Sequence, residues 1–318
     1  MNPTSVTVGS LSDLSMALEA RTITSTGVVQ QPDVKVRVVP NGVPVGAEIV
    51  GIDLRQRLDP DVVTQVQQAL DEHGMIYVRN QFLKPEQFVS FSGQLGVLKR
   101  HVFDQFLLKE HPEILVISNI MENGRQIGVA DAGQYWHTDG AFEARPHQYS
   151  LLHAQEIPVD ASGVAMGNTM FVSTSHAYRT LTGDVQARLR TLEGLHSLTI
   201  QYEKKQNTGV GRHVPLTPEQ KARNPDLYHP VVWPHPRSGA ECLYVNEGTT
   251  FGIREMPAEE AEDLIRELCA HITRPGVVYH HQWRVGDVLV WDNYSTQHKV
   301  NFNYGPQHRR RMHRTTVA

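Results

Sequence analysis

From residue 34 onward, short runs of alternating or continuous apolar residues take turns with stretches of helical spacing. VKVRVVP (34–40) and AEIVGIDL (47–54) read as strands, joined through the turn chemistry of Asn41-Gly42. Pro60 opens a helix in which Val62, Val63, Val66, Ala69 and Leu70 share one face, and Gly74 ends it. MIYVRN follows as a buried strand. A second helix over 84–95 carries Phe88, Phe91 and Leu95 on one side. Strands are predicted at 113–119, 149–157, 168–173, 241–251, 287–293 and 311–317, and helices at 174–192 and 257–273. The last has the clearest stripe: Ala261, Leu264, Ile265, Leu268 and Ile272. Residues 203–226, rich in Lys, Gln, Asn, Gly and Pro, read as a long irregular loop, the kind of segment that often covers a site. Residues 1–33 show no sustained period and read as a loose arm, leaving 34–318 as a single domain. The strands do not alternate strictly with helices, which disfavours a doubly wound or barrel α/β fold. The expectation is α+β, with an eight-stranded jelly-roll core flanked by helices.

Composition narrows the classes. The chain has 318 residues, long enough to bury a core without covalent staples. A net charge of −4 disfavours nucleic acid as a partner. The two cysteines, Cys242 and Cys269, exclude a disulfide framework, a CxxC redox site and a Cys-rich zinc module; they read as packing residues. No run of about 18 apolar residues is present, so no membrane span is expected, and the N-terminal segment lacks the pattern of a signal peptide. A cytoplasmic enzyme, self-associating as a homo-oligomer, is the starting expectation. The composition's one departure from the ordinary is 17 histidines.

Two of these histidines stand in a suggestive setting. In QYWHTDGAF, His137 and Asp139 are two apart, so an extended backbone turns both to one side. With His298 of VWDNYSTQHKV they would make two imidazoles and a carboxylate, the facial triad of non-haem Fe(II) oxygenases. Alone, His-x-Asp is a weak signal that a surface pair would equally explain. At the C-terminus, HRRRMHRTTV alternates so that Arg310, Met312 and Arg314 fall on one face and Arg309, Arg311 and His313 on the other. A buried arginine row calls for anionic partners, and the guanidinium fork suits carboxylate or sulfonate; a solvated basic tail is the plainer alternative. Trp136, Phe142 and Trp291 could line a cavity, although aromatics beside a buried strand more often belong to the core. The histidines without paired spacing (147, 153, 229, 235 and 271 among them) read as core or surface.

Taken together, GAEIVGIDL, HGMIYVRNQFL, the WHTD box, GNTMF, LYVNEGTTFGI, WRVGDVLVWDNYSTQH and RRRMHRTTV resemble, in order and over about 34–317, the TauD/TfdA family of Fe(II)- and 2-oxoglutarate-dependent dioxygenases. The resemblance implies a jelly-roll (double-stranded β-helix) core, with Fe(II), 2-oxoglutarate as cosubstrate, and O2. It implies His137, Asp139 and His298 as iron ligands, and Thr169 and Arg310 as the groups that hold 2-oxoglutarate. Arg314 and His101 match substrate-binding positions of the taurine enzyme, and Phe142 joins them as a candidate for the substrate wall. Two positions depart from that enzyme: Asp104 stands where it has a tyrosine, and Gly133 where it has an asparagine. The segment VDASGVAM is also longer than the usual connection. Taurine is therefore not the expected substrate, although Arg314 favours one with some anionic character.

The implied activity is oxidative decarboxylation of 2-oxoglutarate to succinate and CO2, coupled to oxidation of a C–H bond of a small organic molecule. Hydroxylation is the default outcome, with C–X cleavage, desaturation or cyclisation open to the same residues. Asp139 leaves no place for a halide, which disfavours a halogenase. Two rival classes share the His/Asp/His set. A zinc hydrolase would have no use for Arg310 and Thr169, and a non-catalytic binding protein should have lost a ligand or the arginine.

Overall fold

A computed structural model describes residues 36–205 and 209–318, so the arm expected over 1–33 lies outside the described residues. The largest feature is a sheet. Its main path runs Arg37–Pro40, Ala47–Val50, Met75–Val78, Val288–Asp292, Tyr149–Glu156, Arg311–Val317, His111–Ser118 and Leu107–Leu108, and Leu98–Lys99 also pairs with Arg311–Val317. Every neighbouring pair is antiparallel except Ala47–Val50 against Met75–Val78. Its middle is therefore assembled from three segments far apart in sequence, 149–156, 288–292 and 311–317.

The period of two decides what each face of this sheet meets. Ile76, Val78, Val288 and Val290 point to a cluster completed by the helices Pro60–His73 and Pro85–Leu95, through Val66 and Leu70 of the first and Phe88, Phe91 and Leu95 of the second. Asp59 caps the first helix by accepting from the Asp61 amide, Pro60 starts it, and Gly74 closes it with φ 68°. A Cβ at Gly74 would lie 2.7 Å from Thr296 Cγ2, so both conformation and space call for glycine. The alternate residues Met75, Tyr77, Leu289 and Trp291 face the other way, into a second cluster with Leu152, Met312 and Phe171. Phe171 belongs to a three-stranded sheet of Tyr279–His281, Thr169–Ser173 and Thr296–Val300. Its ring meets Trp291 edge-on at 5.6 Å. The two sheets thus share a core, and a third cluster, including Val172, Tyr178, Leu243, Leu268 and Ile272, forms with the helix Ala258–Ile272.

The sequence-predicted elements need three revisions. The helix expected over 174–192 is two short ones, Thr174–Arg179 and Gly183–Leu189, because the Thr180 hydroxyl turns back to the Ala177 carbonyl and Thr182 starts a new helix ahead of Gly183. The strand expected over 241–251 is split into Glu241–Leu243 and Thr250–Ile253 by a turn in which Asn246 Oδ1 accepts from the Thr249 amide. The segment 203–226 is not uniformly irregular. It begins at the end of the helix Leu198–Lys204 and contains Pro218–Arg223, started by a reciprocal Thr217–Gln220 capping box.

Candidate active site

His137 and His298 are brought together by backbone. The His137 amide donates to the His298 carbonyl at 3.1 Å and the His298 amide to the His137 carbonyl at 3.0 Å. This isolated antiparallel bridge extends the sheet pairing of Thr296–Val300 with Thr169–Ser173, which sets His298 opposite Phe171. The ring centroids of His298 and Phe171 lie 5.7 Å apart, stacked, and those of His298 and Trp291 4.7 Å apart. Asp139 completes the group: Oδ1 lies 3.5 Å from His137 Nε2 and Oδ2 3.9 Å from His298 Nε2. One donor atom from each of the three residues falls within 4.8 Å of the others.

The protonation states suit a cation. His137 Nδ1 lies against the carbonyls of Tyr135 and His298, at 2.9 and 3.0 Å, so Nδ1 carries the hydrogen and Nε2 keeps its lone pair. Burial, and next the neighbouring His137, push the His298 imidazole well below its ordinary range. Burial pushes the Asp139 carboxyl up, but Arg314, His298 and His137 outweigh it and hold the group well below the usual carboxylate range. A His298 imidazole kept neutral, a His137 ring that turns Nε2 to the cluster and an ionised carboxylate therefore converge: the donor set fits a hard-to-borderline divalent metal such as Fe(II).

Asp139 is itself held. Its Oδ2 accepts from Ser150 Oγ at 2.7 Å and pairs with Arg314 Nη2 at 3.0 Å. Ser150 and Arg314 sit on neighbouring strands of the large sheet, with Arg314 opposite Leu152 and Thr316 opposite Ser150. The expected alternation is present at the C-terminus. Arg310, Met312 and Arg314 face inward, whereas Arg309 pairs with Glu156 and Arg311 with Glu122 at the surface.

Arg310 is only 3% exposed, and its Nε and Nη2 have no hydrogen-bond partner among the described residues. The Tyr304 phenol lies beside it, and a Cβ on Gly167 would come within 3.2 Å of Arg310 Nε. A buried guanidinium with idle donors is costly unless an anion meets it. Thr169, two residues beyond Gly167, is buried and receives the Trp283 indole N–H at 3.0 Å. The remaining lone pair and hydroxyl hydrogen stay available to a ligand. A carboxylate of 2-oxoglutarate fits this provision.

A cavity opens in front of His137 and Asp139, walled by His101, Phe142 and Arg314 and by apolar residues including Leu115, Val129 and Leu198. His101 accepts the Phe103 amide on Nδ1, and burial together with Arg314 pushes its imidazole down to about 3, so it faces the cavity neutral. Of the aromatics considered, Phe142 lines the cavity, Trp291 belongs to the core, and Trp136 packs against the third cluster. Asp104 is exposed, 4.0 Å from Arg223, and has no place in the cavity wall. Gly133 does line it; its φ of 82° and a Cβ position 2.7 Å from Val300 Cγ2 leave no room for a side chain. Sequence reasoning passed over Ser150, Trp283, Tyr304 and the cavity-lining Asp131 and Lys205. Only Ser150 left a trace, as the polar inward position of an otherwise apolar strand.

The architecture and the His/Asp/His cluster beside a buried arginine define a metal-dependent oxygenase of the 2-oxoglutarate type, and comparison with known proteins agrees. The taurine dioxygenase structure from Burkholderia xenovorans superposes with a TM-score of 0.72 at 29% identity, covering 89% of each chain. A structure described as AAD-2 in complex with Mn(II) and N-oxalylglycine gives 0.73 at 26% identity, covering 89% of this chain and 96% of that one. Pentalenolactone F synthase of Streptomyces arenae is 30% identical over 277 residues, 85% of this chain and 91% of the relative. The 2,4-dichlorophenoxyacetate dioxygenase of Cupriavidus pinatubonensis is 29% identical over 281 residues, 85% and 93%. Residues 35–316 match the family described as "Taurine catabolism dioxygenase TauD, TfdA family", and the chain belongs to that family. It is an Fe(II)- and 2-oxoglutarate-dependent dioxygenase, with O2 as the oxidant. The hydrolase and binding-protein alternatives leave the family match and the idle donors of Arg310 without explanation.

Proposed function

We propose that His137, Asp139 and His298 hold Fe(II), that Arg310 and Thr169 hold 2-oxoglutarate, and that His101, Arg314 and Phe142 form the substrate wall of a jelly-roll oxygenase acting on a small organic molecule. The observation that carries the reading is Arg310: a buried cation with two idle nitrogens, on the inward face that also carries Arg314 to Asp139. When bound, Fe(II) and 2-oxoglutarate supply the oxidising chemistry, with O2 consumed, succinate and CO2 released, and a substrate C–H bond oxidised.

The chain's own residues prepare that chemistry. The carbonyls of Tyr135 and His298 fix the His137 tautomer, while Arg314 and Ser150 keep Asp139 ionised and aimed. Phe142, Leu198 and Val129 exclude water from the substrate's side. Arg314 has a second use: with Nη2 on Asp139, its buried Nε still has no partner among the described residues and can receive an anionic group or another acceptor. The substrate is accordingly small, with an acceptor at this end and an apolar body. Hydroxylation is the default outcome, and C–X cleavage, desaturation or cyclisation would use the same residues.

We place the domain at 34–318. No described helix is long and apolar enough to cross a membrane. We propose a cytoplasmic homo-oligomer whose partner is a free small molecule rather than nucleic acid, in keeping with the net charge of −4. The test is a panel of small carboxylates, sulfonates and neutral terpenoid-sized molecules, assayed with Fe(II), 2-oxoglutarate and O2. Succinate release above the substrate-free rate, with a product changed in oxygen or hydrogen count by mass spectrometry, is expected for at least one. Substrate-stimulated turnover that survives Arg310→Ala at saturating and at low 2-oxoglutarate alike would contradict the assignment.

A further inference from the structure

Besides the Asp139–Arg314 pair, the cavity wall carries one more buried charge pair. Lys205 Nζ lies 2.9 Å from Asp131 Oδ1, and both side chains are 8% exposed. His213 Nδ1 sits 3.0 Å from Asp131 Oδ2, and the Lys205 ammonium lies 4.7 Å from the Tyr202 ring centroid. Asp131, Tyr202 and Lys205 all line the cavity that also holds His101, Asp139 and Arg314.

An ion pair taken out of water is seldom a net source of stability, because desolvating two charges offsets their attraction. Burial draws the lysine below its ordinary range, against the opposing pull of Asp131. Here the pair stands among Phe103, Leu115, Ile117, Val129 and Leu198, where apolar residues would have closed the wall. An ammonium has three N–H donors. Among the described residues, one is directed to Asp131 and the Tyr202 ring occupies another side. Since Asp131 neutralises the lysine, the pair as a whole presents a directed donor without net charge. That suits a neutral oxygen acceptor and not a second anion, which would have to face the Asp131 carboxylate as well.

We infer that Lys205, positioned by Asp131, is a specificity-determining residue that donates to a neutral oxygen function, such as a ketone or ester carbonyl, on the substrate. This rests on the oxygenase reading above and deepens it. The substrate carries two acceptors, one anionic or strongly polar toward Arg314 and one neutral toward Lys205, on an apolar body. Asp131 is a positioning residue: it holds the ammonium at the wall and keeps the carbonyl site from attracting carboxylates.

The test uses the full chain, loaded anaerobically with Fe(II) and 2-oxoglutarate, and two probe pairs of different reach: cyclohexanecarboxylate with 4-oxocyclohexanecarboxylate, and 4-ethylbenzoate with 4-acetylbenzoate. Calorimetry gives the affinity ratio, keto over non-keto, for each pair. The wild-type chain is expected to favour the keto member of at least one pair by about tenfold, the size of one hydrogen bond from a charged donor. Lys205→Met should bring that ratio toward unity while leaving 2-oxoglutarate affinity, read from the metal-to-ligand charge-transfer absorption, within about twofold. Because Lys205→Met strands the Asp131 carboxylate, the neutral double variant Lys205→Met/Asp131→Asn is measured beside it and should show the same loss. Keto members that bind no better than their counterparts in the wild-type chain, including no binding by any probe, overturn the inference, as does a preference that persists in both variants. A wild-type chain that fails to bind 2-oxoglutarate would instead remove the oxygenase reading, and this inference with it.

Discussion

Two groups of residues around the cavity are built on different principles. At the metal-ligand cluster, His298, Ser150 and Arg314 stand on strands, His137 is held by an isolated bridge, and Asp139 lies in the turn that follows. His137 and His298 exchange both amide hydrogen bonds, and Ser150 and Arg314 reach Asp139 from adjacent strands of the large sheet. In the second group, Leu198, Gln201, Tyr202 and Lys205 come from a seven-residue helix and the residue after it, and residues 209–220 are tied down by side chains. His213 pairs with Asp131, Arg212 donates its amide to Gln126, and Gln220 donates to the Val102 carbonyl. Ladder-held groups keep their spacing to within the tolerance that metal coordination demands, whereas a loop-built wall can be re-lined without disturbing the sheets. On the proposed assignment, the metal ligands and Arg314 belong to the sheet-held group and Lys205 to the loop-built one.

Substitutions in the sheet-held group should break this contrast most visibly. Asp139→Ala or His298→Ala is expected to abolish Fe(II)-dependent turnover and Fe(II) binding while the protein still unfolds cooperatively, checked by metal analysis and thermal melts. Arg310→Ala should weaken 2-oxoglutarate binding by roughly 3–5 kcal/mol, because the carboxylate loses its buried partner. The same variant should not lower the stability of the ligand-free protein, since it deletes an uncompensated buried cation. Its melting temperature should stop responding to added 2-oxoglutarate. Ser150→Ala, which removes the hydrogen bond that aims the Asp139 carboxylate, should lower Fe(II) affinity by about 10- to 100-fold.

A fourth prediction concerns pH and lies outside the cavity. Burial, and next the neighbouring His229, push the His196 imidazole down to about 3 from its ordinary 6.5. The folded chain refuses a proton that the unfolded chain accepts below pH 6.5, so stability is full above that value and falls as the pH drops toward 3. At pH 5 this one imidazole removes about 2 kcal/mol relative to pH 7. Urea denaturation at the two pH values checks it: His196→Gln should shrink the difference in stability between them by about that amount, leaving the share of the other buried histidines. The smallest effects are expected on the outer face of the C-terminal strand. Arg309→Ala and Arg311→Ala lose only surface pairs with Glu156 and Glu122, and each should change stability and 2-oxoglutarate affinity by less than about 1 kcal/mol.

How much of this was legible in the sequence follows the same division. The arginine alternation could be read because a strand's period of two is local, and it separated Arg310 and Arg314 from Arg309 and Arg311. The spacing of His137 and Asp139 was readable for the same reason. His298 was within reach as a candidate, but its meeting with His137 depends on an isolated bridge across 161 residues that no local pattern announces. Ser150 and Trp283 were missed because their partners, Asp139 and Thr169, are chosen by sheet register, a non-local quantity. The wall built from Leu198–Lys205 was least legible. Lys205 stood in a polar stretch read as loop, and nothing near it in sequence foretold that Asp131 would be buried beside it. Asp104 shows the converse: it occupies a position matching a substrate contact in the taurine enzyme, yet it points to Arg223 at the surface.

On the proposed assignment, one buried metal-ligand cluster and one buried arginine together form the Fe(II) and 2-oxoglutarate site. The most direct measurement is an anaerobic titration of 2-oxoglutarate into the Fe(II)-loaded wild-type, Asp139→Ala and Arg310→Ala proteins, followed by the visible charge-transfer absorption of the chelated cosubstrate. A saturable band is expected in the wild-type protein, no band in Asp139→Ala, and in Arg310→Ala a band that develops only at 2-oxoglutarate concentrations more than about 100-fold higher. A band in Asp139→Ala equal to that of the wild-type protein, or an Arg310→Ala titration that overlays it, would contradict the assignment.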